Sequence, residues 1–224
     1  MGPGAIRLGP DGMLYVTSGT VVNQLFGTVR EGTIVRFDPA ASAPRPQTFA
    51  SGLRTPNGAS FDPTGNLYVA DSSAGVVRIR SDGTLDQEWT AQAPRNFDVL
   101  HGVNGFFING AAVAGDALYV TVTATVNGRI LRIPLDAPAR TTVEADLFPG
   151  VPSAMPDDLA VGADGMLYVT TRFGQLVRVD PRTHMTCTIL SGLPMTSVAV
   201  TPGADNELFI GTDVGDILRV RLTS

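Results

Sequence analysis

Two asparagines and an aspartate recur at nearly regular intervals in this chain: Asn57, Asn109 and Asp157, 52 and 48 residues apart. They sit in the runs Pro56-Asn57-Gly58, Ile108-Asn109-Gly110 and Pro156-Asp157-Asp158, each nine or ten residues before a repeated Leu-Tyr-Val phrase. Two amide oxygens and a carboxylate are hard oxygen donors of the type that Ca²⁺ or Mg²⁺ takes, with water completing the shell. A cation held in that way polarises a carbonyl or lowers the pKa of bound water, which is the chemistry of ester and lactone hydrolysis. Plainer explanations compete: Asn-Gly is a turn signal in its own right, and an aspartate ahead of a strand often serves loop amides. Recurrence in three successive units favours a shared site. Asn104-Gly105 offers an alternative register for the middle residue, but it lies 14 residues before Leu118, out of step with its neighbours.

Other side chains are weaker candidates. His101, Phe106 and Phe107 lie in a long connection, residues 91–108, as candidate substrate-lining groups. His101 has the pKa range of a proton shuttle, or is simply a surface residue. The two phenylalanines either wall an apolar pocket or plug the space between structural units. Asp71 and Asp213 are expected to bond loop amides. Several chemistries are excluded outright. All 16 basic residues are arginine, so no internal lysine forms a Schiff base. Two histidines cannot make a three-histidine zinc site. Cys187 is the single cysteine, expected in the core or a turn, and it permits neither an internal disulfide nor a cysteine zinc cluster. The Gly-x-Ser-x-Gly elbow of serine hydrolases does not occur.

The elements that must position these groups follow from a repeat. Leu-Tyr-Val, or its near copy Leu-Phe-Ile, begins at Leu14, Leu67, Leu118, Leu167 and Leu208. A Gly/Asp/Pro turn precedes each copy, and a second apolar run ending in arginine follows: Arg36, Arg78, Arg132, Arg178 and Arg219. Short β-branched runs punctuated by turns read as antiparallel strands, and a period near 50 residues reads as propeller blades. The expectation is an all-β, single-domain β-propeller over residues 1–224, with five recognisable four-stranded blades, the last incomplete, and minimal helix. Residues 85–90 are expected as the outer strand of the second unit, and the repeated arginines as contacts between blades. Long connections at 17–32 and 91–108 are expected on the face that carries the channel mouth. Rotation about the propeller axis would bring Asn57, Asn109 and Asp157 together there.

A net charge of −5, with no basic stripe, argues against nucleic acid as a partner. No apolar stretch is long enough to span a membrane. A small-molecule partner and a cytoplasmic location are the default expectations. An exported origin stays open if the N-terminus is truncated, and the sequence does not decide the oligomeric state.

The run from Pro56-Asn57-Gly58-Ala59-Ser60-Phe61-Asp62-Pro63 to Gly65-Asn66-Leu67-Tyr68-Val69-Ala70-Asp71 resembles the gluconolactonase/regucalcin family, which includes luciferin-regenerating-enzyme-like propellers. The ending Thr196-Ser197-Val198-Ala199 with Glu207-Leu208-Phe209-Ile210 is similar to that family's final blade. The resemblance implies a six-bladed parent, of which this chain lacks the N-terminal blade. It also implies one divalent cation in the central channel, Ca²⁺ first, with Mg²⁺, Zn²⁺ or Mn²⁺ as alternatives. Asn57, Asn109 and Asp157 match the family's metal-binding residues, and Asp157 its catalytic carboxylate. A glutamate from the family's first blade has no counterpart, and Glu31 is a conceivable substitute. The implied activity is lactonase- or esterase-type hydrolysis. The alternative is a non-catalytic propeller that holds a small molecule or peptide at the same face.

Overall fold

The computed structural model describes residues 2–19, 29–148, 155–201 and 206–222. Most of the expected long connection at 17–32, and the turn at 202–205, lie outside the described residues. The chain forms a five-bladed β-propeller of antiparallel sheets. Blade 1 comprises β1 (Gly2–Leu8), β2 (Leu14–Gly19), β3 (Gly32–Phe37) and β4 (Gln47–Leu53). Blade 2 comprises β5 (Pro56–Phe61), β6 (Leu67–Asp71) and β7 (Gly75–Ile79). Blade 3 is β8 (Phe106–Ala114), β9 (Ala117–Ala124), β10 (Arg129–Pro134) and β11 (Thr142–Asp146). Blade 4 is β12 (Pro156–Val161), β13 (Leu167–Thr171), β14 (Gln175–Asp180) and β15 (Met185–Ser191). Blade 5 is β16 (Met195–Val200), β17 (Glu207–Thr212) and β18 (Ile217–Arg221).

The Leu-Tyr-Val phrases form the second strand of every blade, buried on both faces in blades 2, 3 and 4 and on alternate residues in blade 1. Leu67, Val69, Leu118, Val120, Leu167 and Val169 have no exposed surface. Full burial of each such side chain contributes about 1.5–3 kcal/mol. The phrase therefore recurs because the same interblade core is built again and again.

Each repeated arginine is the cross-strand partner of the aromatic in that phrase: Tyr15 with Arg36, Tyr68 with Arg78, Tyr119 with Arg132, Tyr168 with Arg178, and Phe209 with Arg219. The tyrosine hydroxyl donates to a carboxylate of the preceding turn, at 2.8 Å in Tyr15–Asp11 and Tyr168–Asp164. Arg36 closes the group from the next strand, 3.2 Å from the Tyr15 hydroxyl. The expected blade-to-blade role is therefore corrected. Neighbours across one ladder lie close enough to complete a polar cluster within a single blade.

Blade 2 departs from the expected fourth strand. Residue 85 makes one isolated bridge to Ile79, and α1 (Gln87–Gln92) takes the outer position. Asp86 caps this helix by accepting from the Trp89 amide at 3.2 Å, and it also binds Arg78. An N-cap aspartate followed by Gln, Glu, Ala and Gln favours helix over strand. Trp89 then fills the space that an outer strand would occupy, edge-on to Tyr68 with ring centres 5.1 Å apart. Cys187 is exposed on the outer strand β15 rather than in the core or a turn.

Asp71, at the end of β6, is buried and accepts from four backbone amides: Arg54 at 2.7 Å, Thr55 at 2.9 Å, and Ser73 and Ala74 at 3.1 Å. It stitches the entry of blade 2 to the loop that follows β6. Asp71→Ala strands those donors and is expected to cost about 2 kcal/mol, measured by urea unfolding.

The inner strands follow one another round the axis, with β1 packed on β5, β5 on β8, β8 on β12 and β12 on β16. The circle is not sealed in the same way between β16 and β1. A cleft of about 370 Å³ lies there, with Ile6, Arg7, Phe209 and Ile217 on its walls.

Candidate functional site

The first ladder of every blade carries a register shift near the start of its inner strand. In blades 2, 3 and 4 the shift falls between Pro56 and Ala59, Ile108 and Ala111, and Pro156 and Leu159. Asn57, Asn109 and Asp157 are the first residues inside these irregularities. A bulge leaves a residue unpaired and re-aims its side chain, which is why bulges collect beside binding sites. The three positions are thus equivalent in backbone geometry as well as in sequence interval.

The residue after each bulged position explains how closely the strands approach. A Cβ on Gly58 would stand 2.3 Å from the Asn109 carbonyl oxygen, and one on Gly110 would stand 2.7 Å from Asp158 Cα. Asn-Gly is therefore not a turn here. Glycine lets adjacent inner strands converge on the axis. Threonines on the second strands then bind the next blade. Thr17 donates to the Asn57 carbonyl, Thr121 to that of Asp157 and Thr123 to that of Pro156, all at 2.7 Å. Threonine follows Leu-Tyr-Val at positions 17, 121 and 170; the first two serve the next blade, while Thr170 donates to the Asp158 carbonyl of its own blade at 3.2 Å.

Asn57, Asn109 and Asp157 all line one cavity of about 530 Å³ at the axial mouth. The Asn109 side-chain amide donates to Asp157 Oδ1, and also to Thr123 Oγ1 at 3.1 Å. Asp157 is buried, at 8% exposure. Desolvation pushes its carboxyl up to about 7; Asp158 and Asp213 add to the rise, while Arg172 and the Asn109 hydrogen bond oppose it. In blade 4 an aspartate, Asp158, occupies the position that glycine holds in blades 2 and 3. Asp158 faces Arg7 at 3.7 Å and accepts from the Val198 amide at 3.2 Å, joining blades 1, 4 and 5 near the axis. Burial raises the Asp158 carboxyl as well, against the pull of Arg7.

Phe107 lines the same cavity with a left-handed backbone, φ 62°. Met155, which also lines it, is left-handed too at φ 45°. Such conformations are uncommon for residues other than glycine and cost of order 1–3 kcal/mol when neighbours hold them in place. Phe106 lies outside the cavity lining, packed between Phe107 at 4.5 Å and the exposed Phe97 at 5.3 Å. His101 is likewise outside it, in a short 3-10 turn with Nδ1 2.5 Å from Asp98 Oδ2. Among the described residues, the Asp213 side chain serves no loop amide. It meets Arg172 at 3.2 Å on the cavity wall, a pair that the sequence reading missed because the two residues lie 41 positions apart in different blades. Glu31 is exposed and is not part of the lining. Gly4 holds the blade 1 position equivalent to Asn57, Asn109 and Asp157, so blade 1 presents no side chain there.

No family model matches the sequence, and no curated protein does. Solved structures do match. The nidogen/laminin complex contains a chain similar over 98% of this protein and 76% of its own length, with a TM-score of 0.72 and 17% identity. A gluconolactonase from Xanthomonas campestris matches over 99% and 72%, with a TM-score of 0.70 and 17% identity. A putative gluconolactonase matches over 99% and 76%, with a TM-score of 0.68 and 18% identity. At these identities the likeness establishes the propeller fold. Chemistry must be argued from the site.

Proposed function

We propose that this propeller is a lactonase-type hydrolase of small-molecule esters or lactones that works with one divalent cation, Ca²⁺ first among the choices, at the mouth of its channel. The observation that carries the reading is Asp157: a buried carboxylate on an accessible cavity, flanked by amides at two equivalent bulges, with, among the described residues, no cationic neighbour beyond the Arg172 it shares with Asp213. The gluconolactonase structures of the same fold support the choice of reaction class.

The donor set fits a hard cation. Asn57, Asn109 and Asp157 supply oxygen ligands, and a half-turn of the Asn109 amide would bring its oxygen to the place now held by nitrogen. The residues provide a single carboxylate, and among the described residues no group of three His, Cys, Asp or Glu side chains could hold a metal. The site would therefore depend on water and substrate to complete its shell. When bound, the cation supplies Lewis-acid polarisation of a carbonyl. Asp157 takes the proton from an attacking water or attacks the acyl carbon itself. Its buried setting favours proton uptake near neutral pH, as general-base catalysis requires. Phe107 and Met155 exclude water on one side, and Arg172 with Asp213 forms a polar wall on another.

Metal analysis of purified protein is expected to find about one divalent ion per chain, as one three-residue site would hold. Asn57→Ala and Asp157→Ala are expected to abolish both cation binding and hydrolysis of a δ-lactone while leaving far-ultraviolet dichroism unchanged. Retained turnover in Asp157→Ala would refute the assignment. The second reading is non-catalytic capture of a small molecule or peptide at this mouth. It is favoured by the likeness to the chain of the nidogen/laminin complex. Ligand binding without metal or turnover would select it.

A further inference from the structure

The connection between blades 2 and 3 holds apolar side chains out in solvent. Phe97, Val99 and Leu100 are 68%, 75% and 92% exposed, and Phe106, packed on Phe97, is 36% exposed. Apolar residues exposed singly are ordinary, whereas a contiguous group marks a place where something binds. The loop that carries them is tied down on all sides. The Phe97 amide donates to the Gly105 carbonyl at 2.7 Å and closes the base, and the Asp98 carboxylate accepts from the His101 amide inside it. Arg129 of β10 donates to the Gly102 carbonyl at 2.7 Å, and Val103 is fully buried in the core between blades 2 and 3. Phe97 itself is left-handed at φ 59°, a conformation that a bulky residue keeps only where its surroundings impose it. The backbone is fixed while its apolar side chains stay in water, against the direction of the hydrophobic effect.

These side chains continue the wall of the cavity at the channel mouth. Phe107 lines that cavity and meets Phe106 edge-on, with ring centres 4.5 Å apart. Phe106 in turn stacks on Phe97 at 5.3 Å, with the two planes 29° apart. The near end of the loop is joined to the same wall, because the Asn96 side-chain amide donates at 2.9 Å to the carbonyl of Ser72, another lining residue. The cavity itself is chiefly polar, with Asn57, Asn109, Asp157, Arg172 and Asp213 around it. A ligand that fills cavity and aromatic ladder together is therefore polar at one end and apolar at the other. A macromolecular partner fits less well. Stable protein interfaces engage about 20–30 residues a side, whereas this strip is Phe97, Val99, Leu100 and Phe106, and a protein seated on Phe106 would close over the mouth.

We infer that the ladder Phe107–Phe106–Phe97 is a subsite for an apolar arm of the cavity ligand, so that the preferred substrate is an amphiphilic lactone or ester. Its carbonyl lies beside Asp157 and its aliphatic or aryl arm runs outward along the rings, with Val99 and Leu100 extending the apolar strip. The inference rests on the hydrolase reading for the reacting group and on the loop geometry for the arm. Each methylene taken from water onto the rings strengthens binding. A sugar lactone, polar all round, would leave the ladder wet.

The test compares δ-valerolactone with δ-decalactone, the same ring bearing a pentyl arm, on the Ca²⁺-loaded full chain. The arm is expected to raise kcat/KM at least about tenfold, a difference of about 1.4 kcal/mol. The double variant Phe97→Asn/Phe106→Ser is expected to bring that ratio below about threefold; asparagine tolerates the left-handed backbone at position 97. Each ratio is taken within one protein, so a change in the amount of active material cancels. The two corresponding lactams resist hydrolysis and give a readout without turnover. The pentyl lactam is expected to bind about tenfold more tightly and, alone of the pair, to shift the ¹⁵N-labelled amides of Phe97 and Phe106, which needs no variant. Equal kcat/KM for the two lactones, or a ratio that the double variant leaves unchanged, would overturn the arm subsite and leave the hydrolase reading standing. Turnover of neither lactone would remove the hydrolase reading, and the lactams would still decide: tighter binding with shifts at Phe97 and Phe106 supports the subsite, while equal binding, or none, overturns it. Sedimentation with phosphatidylcholine vesicles that the double variant abolishes would also overturn it, since the strip would then face a lipid surface.

Discussion

Asp157→Asn is expected to make the metal-free protein more stable at pH 8 by up to about 4 kcal/mol while eliminating hydrolysis. The carboxyl moves from its ordinary 3.8 to about 7 on folding, driven by burial and by Asp158 and Asp213. Below pH 4 the folded and unfolded chains both carry the proton, and Asp157 has no effect on stability. Between 4 and 7 the unfolded chain loses the proton first. Stability therefore falls as pH rises, by about 1.4 kcal/mol per unit. Above 7 the penalty is complete and constant. Asparagine has the same shape and no charge, and its amide can still meet the Asn109 side chain after rotation, so the penalty disappears. Urea unfolding of both proteins in chelator, from pH 4 to 8.5, gives the comparison. The curves should coincide at the acid end and separate through the neutral range. Added Ca²⁺ should close the gap by raising only the parent protein, because a bound cation compensates the charge that burial penalises. Parallel curves at every pH would mean that Asp157 is solvated or already paired, and the site argument would lose its support.

The second large effect concerns backbone spacing. Gly110→Ala is expected to destabilise the chain by roughly 3 kcal/mol and to separate Asn109 from Asp157. The new Cβ would lie 2.7 Å from Asp158 Cα and 2.8 Å from the Asp157 carbonyl oxygen and the Leu159 amide nitrogen. All three are backbone atoms of β12, so no flexible side chain can yield. The strand itself must retreat, and with it the Thr121 and Thr123 bonds that hold blade 4 to blade 3. Gly192→Ala is the control: its nearest neighbour is the end of the Met195 side chain at 4.0 Å, and the change should stay within about 0.5 kcal/mol. Denaturant unfolding measures the stability. Cation titration by calorimetry measures whether the site survives. If Gly110→Ala binds the cation as the parent does, the close approach of β8 and β12 is not what assembles the site.

Sequence and structure contribute different parts of this picture. The blade pattern was legible in the chain because the leucine of the repeated phrase is packed into the core in blades 2 to 5, with the strand fully buried on both faces in blades 2 to 4, and like packing demands produce like words. The positions of Asn57, Asn109 and Asp157 were legible for a related reason: rotational symmetry turns equal spacing into spatial equivalence. A turn competed as the explanation of Asn-Gly because the usual meaning of that dipeptide is local. Here the glycine answers to the strand of the next blade, more than 45 residues away. The outer element of blade 2 was misread as a strand because β-like residues around Leu85 precede a cap whose partner, Trp89, gains its value only from packing on Tyr68. Arg172 and Asp213 carried no motif at all. Their pairing, the bulges that turn the site residues inward, and the raised carboxyl of Asp157 arise from distances between blades. What the amino-acid order determined by itself was the repeated unit, since hydrophobic period and turn chemistry act over a few residues. What only the tertiary structure decided was where charge, backbone and cavity meet, since electrostatics and steric contact act between residues far apart in the chain.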